Sequence, residues 1–234
     1  MNTKSATDFD ASQTRTARGA AARAKLKTAA LVVMERLGYH KMRIADVTKE
    51  AGVAQGLFYH YFKDLKTLTI EVLEDHVGVA TDLDSIERDV APGDWYGRIY
   101  AHNLLVVNGY AKRPGVTRCL LQMADEDIEF STFMRESYRQ QLMWLVELMP
   151  KMFPQVHFEK HQALVVVYSL AGLGEGLLRE YYINTSATLR AAELTVDEMA
   201  ELLTTVFYRA LFLENPPPEK LNYTKNLTRM VKTD

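Results

Sequence analysis

Residues 44–62 constrain the fold more than any other stretch of this chain. They read Ile-Ala-Asp-Val-Thr-Lys-Glu-Ala-Gly-Val-Ala-Gln-Gly-Leu-Phe-Tyr-His-Tyr-Phe. Ile44, Val47 and Ala51 recur at three- and four-residue spacing, which predicts a short amphipathic helix stopped by Gly52. A second short helix is predicted from Gln55 to Tyr61. Glycine tolerates positive φ, so the chain can turn sharply at Gly52, with Val53 filling the space between the two helices. This is a helix-turn-helix arrangement, whose second helix can enter a DNA major groove while the first crosses the backbone. An ordinary corner between two helices offers the same turn, so the motif alone leaves both readings open.

The surrounding sequence is helical throughout. Leu26, Ala29, Ala30, Val33 and Leu37 form the apolar stripe of a basic helix spanning about Arg15 to Leu37, closed by Gly38. Asp64 can cap a fourth helix carrying Leu68, Val72, Leu73 and Val77. Pro92-Gly93 marks a break, followed by a helix over about 94–111. Pro114 suits the first turn of the next helix, where its missing N–H would be unpaired anyway. Further helices are predicted over 128–149, ending before Pro150, and over 158–182. Thr195 with Glu198 is a capping box opening a ninth helix, which carries Met199, Leu202, Leu203, Val206, Phe207, Ala210 and Leu213 and ends at the prolines 216–218. The expectation is an all-α fold of about nine helices. Residues 1–14 read as a flexible arm, 15–66 as the helix-turn-helix domain, 67–214 as a second helical domain and 215–234 as a loose tail.

Charge sharpens that division. The chain of 234 residues has a formal charge of −2, a near-balance that by itself argues against a polyanion partner. Residues 1–66 nevertheless hold 12 basic and 6 acidic residues, a balance of +6, and residues 67–234 hold 16 and 24, a balance of −8. A sign reversal of this kind suggests two modules with different partners. The single cysteine, Cys119, excludes an internal disulfide and points to a reducing compartment. The first residues contain no apolar run of signal-peptide type, and the longest uncharged apolar-rich run, 162–174, is shorter than a bilayer span. A cytoplasmic location is expected.

The wider pattern is more specific than the turn. A basic helix ending in Gly38-Tyr39 is followed by I-x-D-V at 44–47, A-G-V at 51–53 and G-x-F-Y-x-Y-F-K at 56–63. Over about residues 20–75 this resembles the amino-terminal DNA-binding domain of the TetR (tetracycline-repressor-like) family of transcriptional regulators. The resemblance implies a homodimer that binds double-stranded operator DNA and is released by a small molecule. It also implies that the carboxy-terminal region binds the effector and that its last two long helices pair with their copies in a four-helix interface. Three positions depart from the family pattern. Ala54 stands where a Ser or Thr usually caps the recognition helix, Met42-Arg43 where a Thr or Ser opens the preceding one, and Leu65 where a phosphate-contacting Lys is common.

Residue roles follow on chemical grounds. Gln55 can read an adenine edge through a bidentate amide pair, Gly56 permits close backbone approach and Leu57 can touch a thymine methyl. By resemblance, Tyr59 and His60 face phosphates or base edges. Arg43, Lys63 and Lys66 are phosphate candidates, contacts that fix register rather than sequence. Phe58 and Phe62 are expected in the core. Arg15, Arg18 and Arg23 could reach a minor groove, or belong to a basic arm.

The second module has the composition of an adaptable apolar pocket. Tyr100, His102, Asn103, Met123, Phe133, Met134, Tyr138, Trp144 and Tyr168 are the ligand-binding candidates, and a hydrophobic or aromatic effector is expected. Plain core packing is the commoner explanation for any one of them, and Asn103, Tyr100 and His102 are the better candidates because a polar group on a buried face needs a partner. The glycines at 172, 174 and 176 lack the strand and the spacing of a dinucleotide site and suit close helix packing instead. His157 and His161 are two potential ligands without a third, so no metal is expected, and no cofactor. Asp125, Glu126, Asp127 and Glu129 read as a solvated helix junction, and Cys119 as a buried thiol. No nucleophile-base pair is evident, so no catalytic residue is assigned. The expected function is that of a dimeric DNA-binding repressor. The alternatives are an all-α small-molecule-binding protein or enzyme without DNA binding, and a DNA-binding regulator that needs no effector.

Overall fold

The computed structural model describes residues 6–79, 86–157 and 159–229. Its long helices are α1 (Ala6–Leu37), α2 (Ile44–Ala51), α3 (Gln55–Tyr61), α4 (Leu65–Val79), α5 (Trp95–Lys112), α6 (Pro114–Glu126), α7 (Ile128–Met152), α8 (Lys160–Leu178) and α9 (Val196–Phe212). A single helical turn, Ala187–Arg190, precedes α9, making ten α-helices and no strand among the described residues.

Local chemistry sets most of these ends. The Asp94 carboxylate accepts from Gly97 N at 2.8 Å to start α5, and the Asp127 carboxylate accepts from Phe130 N at 2.8 Å to start α7. Thr195 and Glu198 form the reciprocal capping box, at 3.2 Å and 2.9 Å. The α8 helix begins at Lys160 and widens at its end into a π turn, Arg179–Ile183, closed by Asn184 N donating to Arg179 O at 2.8 Å. Phe158, the expected start, lies outside the described residues.

Three boundaries differ from the sequence expectation. The first helix starts at Ala6, inside the stretch read as an arm, because residues 6–18 contain neither proline nor glycine to stop it. Residues 1–5 lie outside the described residues. The seventh helix runs through Pro150 to Met152. Proline's fixed φ is helical, and this close to the end of a helix the lost N–H is tolerated. The segment after the prolines is not loose. Leu221 and Thr224 are buried against α9, where the Glu201 carboxylate accepts from Asn222 N, Thr224 N and the Thr224 hydroxyl at 2.7–3.1 Å. Residues 230–234 lie outside the described residues.

Among the described residues, four cores hold the helices together. The largest joins α1 (Leu26, Ala30, Val33, Met34), α2 (Val47), α3 (Phe58), α4 (Leu68, Val72, Leu73), α6 (Val116, Cys119, Met123) and the start of α7 (Phe130). It is therefore continuous across the boundary placed at residue 66. A second joins Val107 of α5, Leu178 of α8 and Met199 and Leu203 of α9. A third packs the carboxy-terminal Leu221 with Tyr96, Ile99 and Tyr208, and a fourth pairs α7 with α8 through Val146, Met149, Ala163 and Val167.

Candidate nucleic-acid interface and effector region

The helix-turn-helix is built as its sequence requires. The Asp46 carboxylate accepts from Arg43 N at 3.0 Å, satisfying a free donor at the start of α2. Gly52 sits at φ 64°, ψ 39°, in the left-handed region, and its neighbour Val53 N donates to Thr48 O at 3.0 Å. This is the glycine-dependent helix end that lets α3 leave at a sharp angle. Ala54 supplies no side-chain cap to α3. A missing acceptor of this kind costs about 1 kcal/mol, and here Leu57 N turns to Ala54 O at 2.9 Å.

One face of α3 is locked and the other is open. Phe58 is fully buried and Phe62 nearly so, their ring centroids 5.8 Å apart. Gln55, Gly56, Tyr59 and His60 lie on the opposite side and are exposed, Tyr59 at 59%. The pairs Gln55/Tyr59 and Gly56/His60 are each one turn apart, so they form two adjacent rows on that open face. Nothing lies within 4 Å of where a Cβ on Gly56 would be, which leaves the backbone approachable. Leu57 is half-buried at the edge. Arg43 and Lys63 are exposed at the two ends of the motif and enter no ion pair among the described residues.

Two basic side chains named from the sequence pair with carboxylates of the chain itself while staying partly exposed. Lys66 pairs with Asp127 at the start of α7, and that pairing holds the ammonium above and the carboxylate below their usual pKa ranges. Arg23 pairs with Glu71 and lies over the Phe62 ring at 4.9 Å, so it secures α4 and the core rather than reaching outward. The side chains of Arg15 and Arg18 lie outside what is described. The acidic junction at 125–129 is correspondingly a docking point: Asp127 is 8% exposed, and His40 Nε2 lies 2.9 Å from Glu126. The joint is completed by the Glu35 carboxylate accepting from Val116 N at 3.0 Å. Cys119 is buried, its thiol pushed up by burial, with Sγ 3.9 Å from Met34 O.

The nine ligand-binding candidates do not share one pocket. Met123 is buried in the core shared with α1–α4, and Phe133 and Met134 pack against it. Asn103 is buried and donates to the Thr204 hydroxyl of α9 at 3.0 Å, so its polarity is satisfied within the chain. Tyr100 donates to Asp197 at 3.1 Å and stacks on Tyr96. His102 and Trp144 come together, ring centroids 4.5 Å apart, with His102 Nε2 2.9 Å from Glu87, itself 3.3 Å from Arg98. Burial pushes the His102 imidazole below its ordinary value. Tyr138 and Tyr168 meet edge to face at 5.4 Å, beside Tyr110 and Glu175. Sequence periodicity gives the inward face of each helix but not the neighbour that face meets. Glu175, a carboxylate between two glycines in an apolar helix, is the feature of the sequence that marks this cluster.

The glycines of α8 serve packing at one position. A Cβ on Gly174 would lie 3.2 Å from the Phe207 ring, whereas Gly172 and Gly176 face open space. His157 precedes α8 and sits 3.3 Å from Glu159, and His161 is exposed on α8, so the two do not share a helix face.

An all-helical chain with a helix-turn-helix whose recognition face is open belongs to the class of helix-turn-helix proteins. Residues 26–72 match the family described as "Bacterial regulatory proteins, tetR family". Two curated relatives match over part of the chain. The fatty acid metabolism regulator protein of Bacillus subtilis is 32% identical over 62 residues, 26% of this chain and 31% of that protein. The HTH-type transcriptional regulator BetI of Serratia proteamaculans is 38% identical over 64 residues, 26% of this chain and 32% of that one. The chain thus matches about a third of the length of these relatives. The fold extends further: a transcriptional regulator from Saccharomonospora viridis, solved in complex with choline, superposes with a TM-score of 0.62 over 81% of this chain and 96% of its own, at 18% identity.

Proposed function

We propose that this protein is a dimeric transcriptional repressor that binds operator DNA through α3 and is released by a small molecule bound among α5, α7 and α8. The observation that carries the reading is the two-sided α3. Phe58 and Phe62 fix the helix, while Gln55, Tyr59 and His60 are exposed, as are Arg43 and Lys63 at the ends of the motif. Gln55 supplies base readout, Leu57 a methyl contact at the edge, Gly56 close approach, and the two cations register. Lys66 also pairs with Asp127 and so ties α4 to α7.

Dimerisation is supported by α8. Val165, Val166 and Leu173 are 66%, 46% and 50% exposed, an apolar face one chain leaves uncovered. By length and composition, Lys160–Ile183 could cross a bilayer. It also carries Glu175, Arg179 and Glu180 and packs on α7 through Ala163 and Val167, which favours a subunit interface and a cytoplasmic protein. The ninth helix contributes less, since Met199 and Leu203 are already buried within the chain. Effector binding is supported by the choline complex of the structural neighbour. A ligand can shift the equilibrium between DNA-competent and released arrangements only by its differential affinity for them. The joint that would transmit the shift is α6 with its contacts to Glu35 and Met34.

An electrophoretic shift with the DNA upstream of the gene and of its neighbour tests the reading. A discrete complex that resists excess random DNA supports it. Equal affinity for both DNAs overturns it.

A further inference from the structure

Two of the carboxylates among the aromatic groups of the effector region differ in one respect. Glu87 is compensated, with Arg98 at 3.3 Å and His102 at 2.9 Å. Glu175 on α8 is half-buried and has no ion pair among the described residues; the polar group on it is the Tyr138 hydroxyl of α7. The phenols of Tyr110 on α5 and Tyr138 on α7 feel its charge, and Tyr138 in turn meets Tyr168. Tyr168 lies seven residues earlier on the same face of α8, edge to face with Tyr138 at 5.4 Å and 77°. Tyr110 comes from α5, its phenol pushed up to about 12 by burial and by the nearby Glu175 charge, with the Arg179 charge acting the other way. Tyr168 remains 38% exposed, which leaves the cluster an opening to solvent.

A partly desolvated carboxylate without a cation is costly unless something neutralises it. Burial accordingly raises the Glu175 pKa, against the Tyr138 hydrogen bond. Tyrosine faces are electron-rich and attract a cation placed over them within about 6 Å. A neutral ligand would leave the carboxylate uncompensated, and an anion would be repelled by it. We infer that Glu175, with the rings of Tyr110, Tyr138 and Tyr168, forms a binding site for an organic cation, a quaternary or protonated amine carrying apolar substituents. This inference rests on the effector reading above and names the chemical class of the ligand.

The test is calorimetric titration of the purified full-length protein, without DNA, with choline and benzyltrimethylammonium. Each is compared with the neutral isostere in which carbon replaces the ammonium nitrogen. The cations should bind at least about tenfold tighter than their isosteres. The Glu175→Gln variant should weaken cation binding by roughly 30-fold, the scale for removing one partner of a desolvated charge pair, and leave the isosteres unchanged. Tyr168→Leu, at a partly exposed position, provides a second arm should Glu175→Gln fail to fold; it should weaken the cations by about fivefold or more, through loss of one ring face. Equal binding of cation and isostere, or cation binding indifferent to both substitutions, overturns the inference and leaves the effector reading standing. Binding of neither class overturns both.

Discussion

Gly115→Ala is the substitution whose outcome follows most directly from the geometry. Gly115 is buried in the first turn of α6, where that helix crosses α1. An added Cβ would overlap the Glu35 carbonyl oxygen and lie 2.8 Å from Glu35 Cα and 2.9 Å from its carbonyl carbon. All three atoms are backbone of a long helix, so no side chain can swing away, and α1 and α6 must separate. Overpacking of this kind costs about 1–3 kcal/mol, and rigid neighbours put this case near 3. Alanine regains about 0.5–1 kcal/mol over glycine within a helix. The net loss is then about 2 kcal/mol, equivalent to a Tm lowered by about 4–8 °C in a chain of this size. Separation also disturbs the hydrogen bond from Val116 N to Glu35, so operator affinity should fall as well. Calorimetric melting alongside DNA titration reads both. Gly109→Ala is the internal control, because nothing lies within 4 Å of its added Cβ, and it should be neutral or slightly stabilising. A Gly115→Ala protein that melts with the wild type and binds DNA equally would refute the claim that α1 and α6 are in rigid contact.

Other substitutions separate further roles. Gln55→Ala should relax preference at one base position by about 1–3 kcal/mol, whereas Lys63→Ala should weaken all DNA alike and reduce the log K against log salt slope by about one, both read by titration over a salt series. Glu201→Gln should free the segment after Leu221 and lower stability by about 1.5–3 kcal/mol, the scale of hydrogen bonds to a charged acceptor, with protease cleavage near Tyr223 as the readout. Burial alone would raise the Glu201 pKa, but bonds from Thr224 and Asn222 hold it below its ordinary 4.5. Its contribution is therefore present above pH 4.5 and lost as pH falls through the depressed value, so acid should loosen this segment in the wild type and matter less in Glu201→Gln. Asp127→Asn keeps an N-cap for α7 while removing the charge that holds Lys66. Hydrogen exchange at the start of α4 should quicken, while α7 stays protected.

What the sequence disclosed and what it withheld divide by distance along the chain. The turn at Gly52, the cap at Thr195 and Glu198, the Pro114 start and the buried Phe58 each depend on residues within a turn or two, and each was readable. Lys66 looked like a free phosphate ligand because its partner, Asp127, is sixty-one positions away. Residues 215–229 looked loose because prolines and polar groups dominate them, and nothing local marks Glu201 as the acceptor for Thr224. The ligand-binding candidates scattered for a related reason: Asn103 is inward-facing as expected, but the side chain it meets is Thr204 rather than an effector.

The central claim is that α3 reads DNA sequence as one half of a symmetric pair. Selection of bound sites from random double-stranded DNA, with the wild type and with Gln55→Ala in parallel, tests it most directly. The selected site should be palindromic, with half-sites separated by about one helical turn, roughly 34 Å, or a multiple of it, and preference at one symmetric pair of positions should be lost in the variant. Recovery of no consensus by the wild type, or of the same consensus by both proteins, would contradict it.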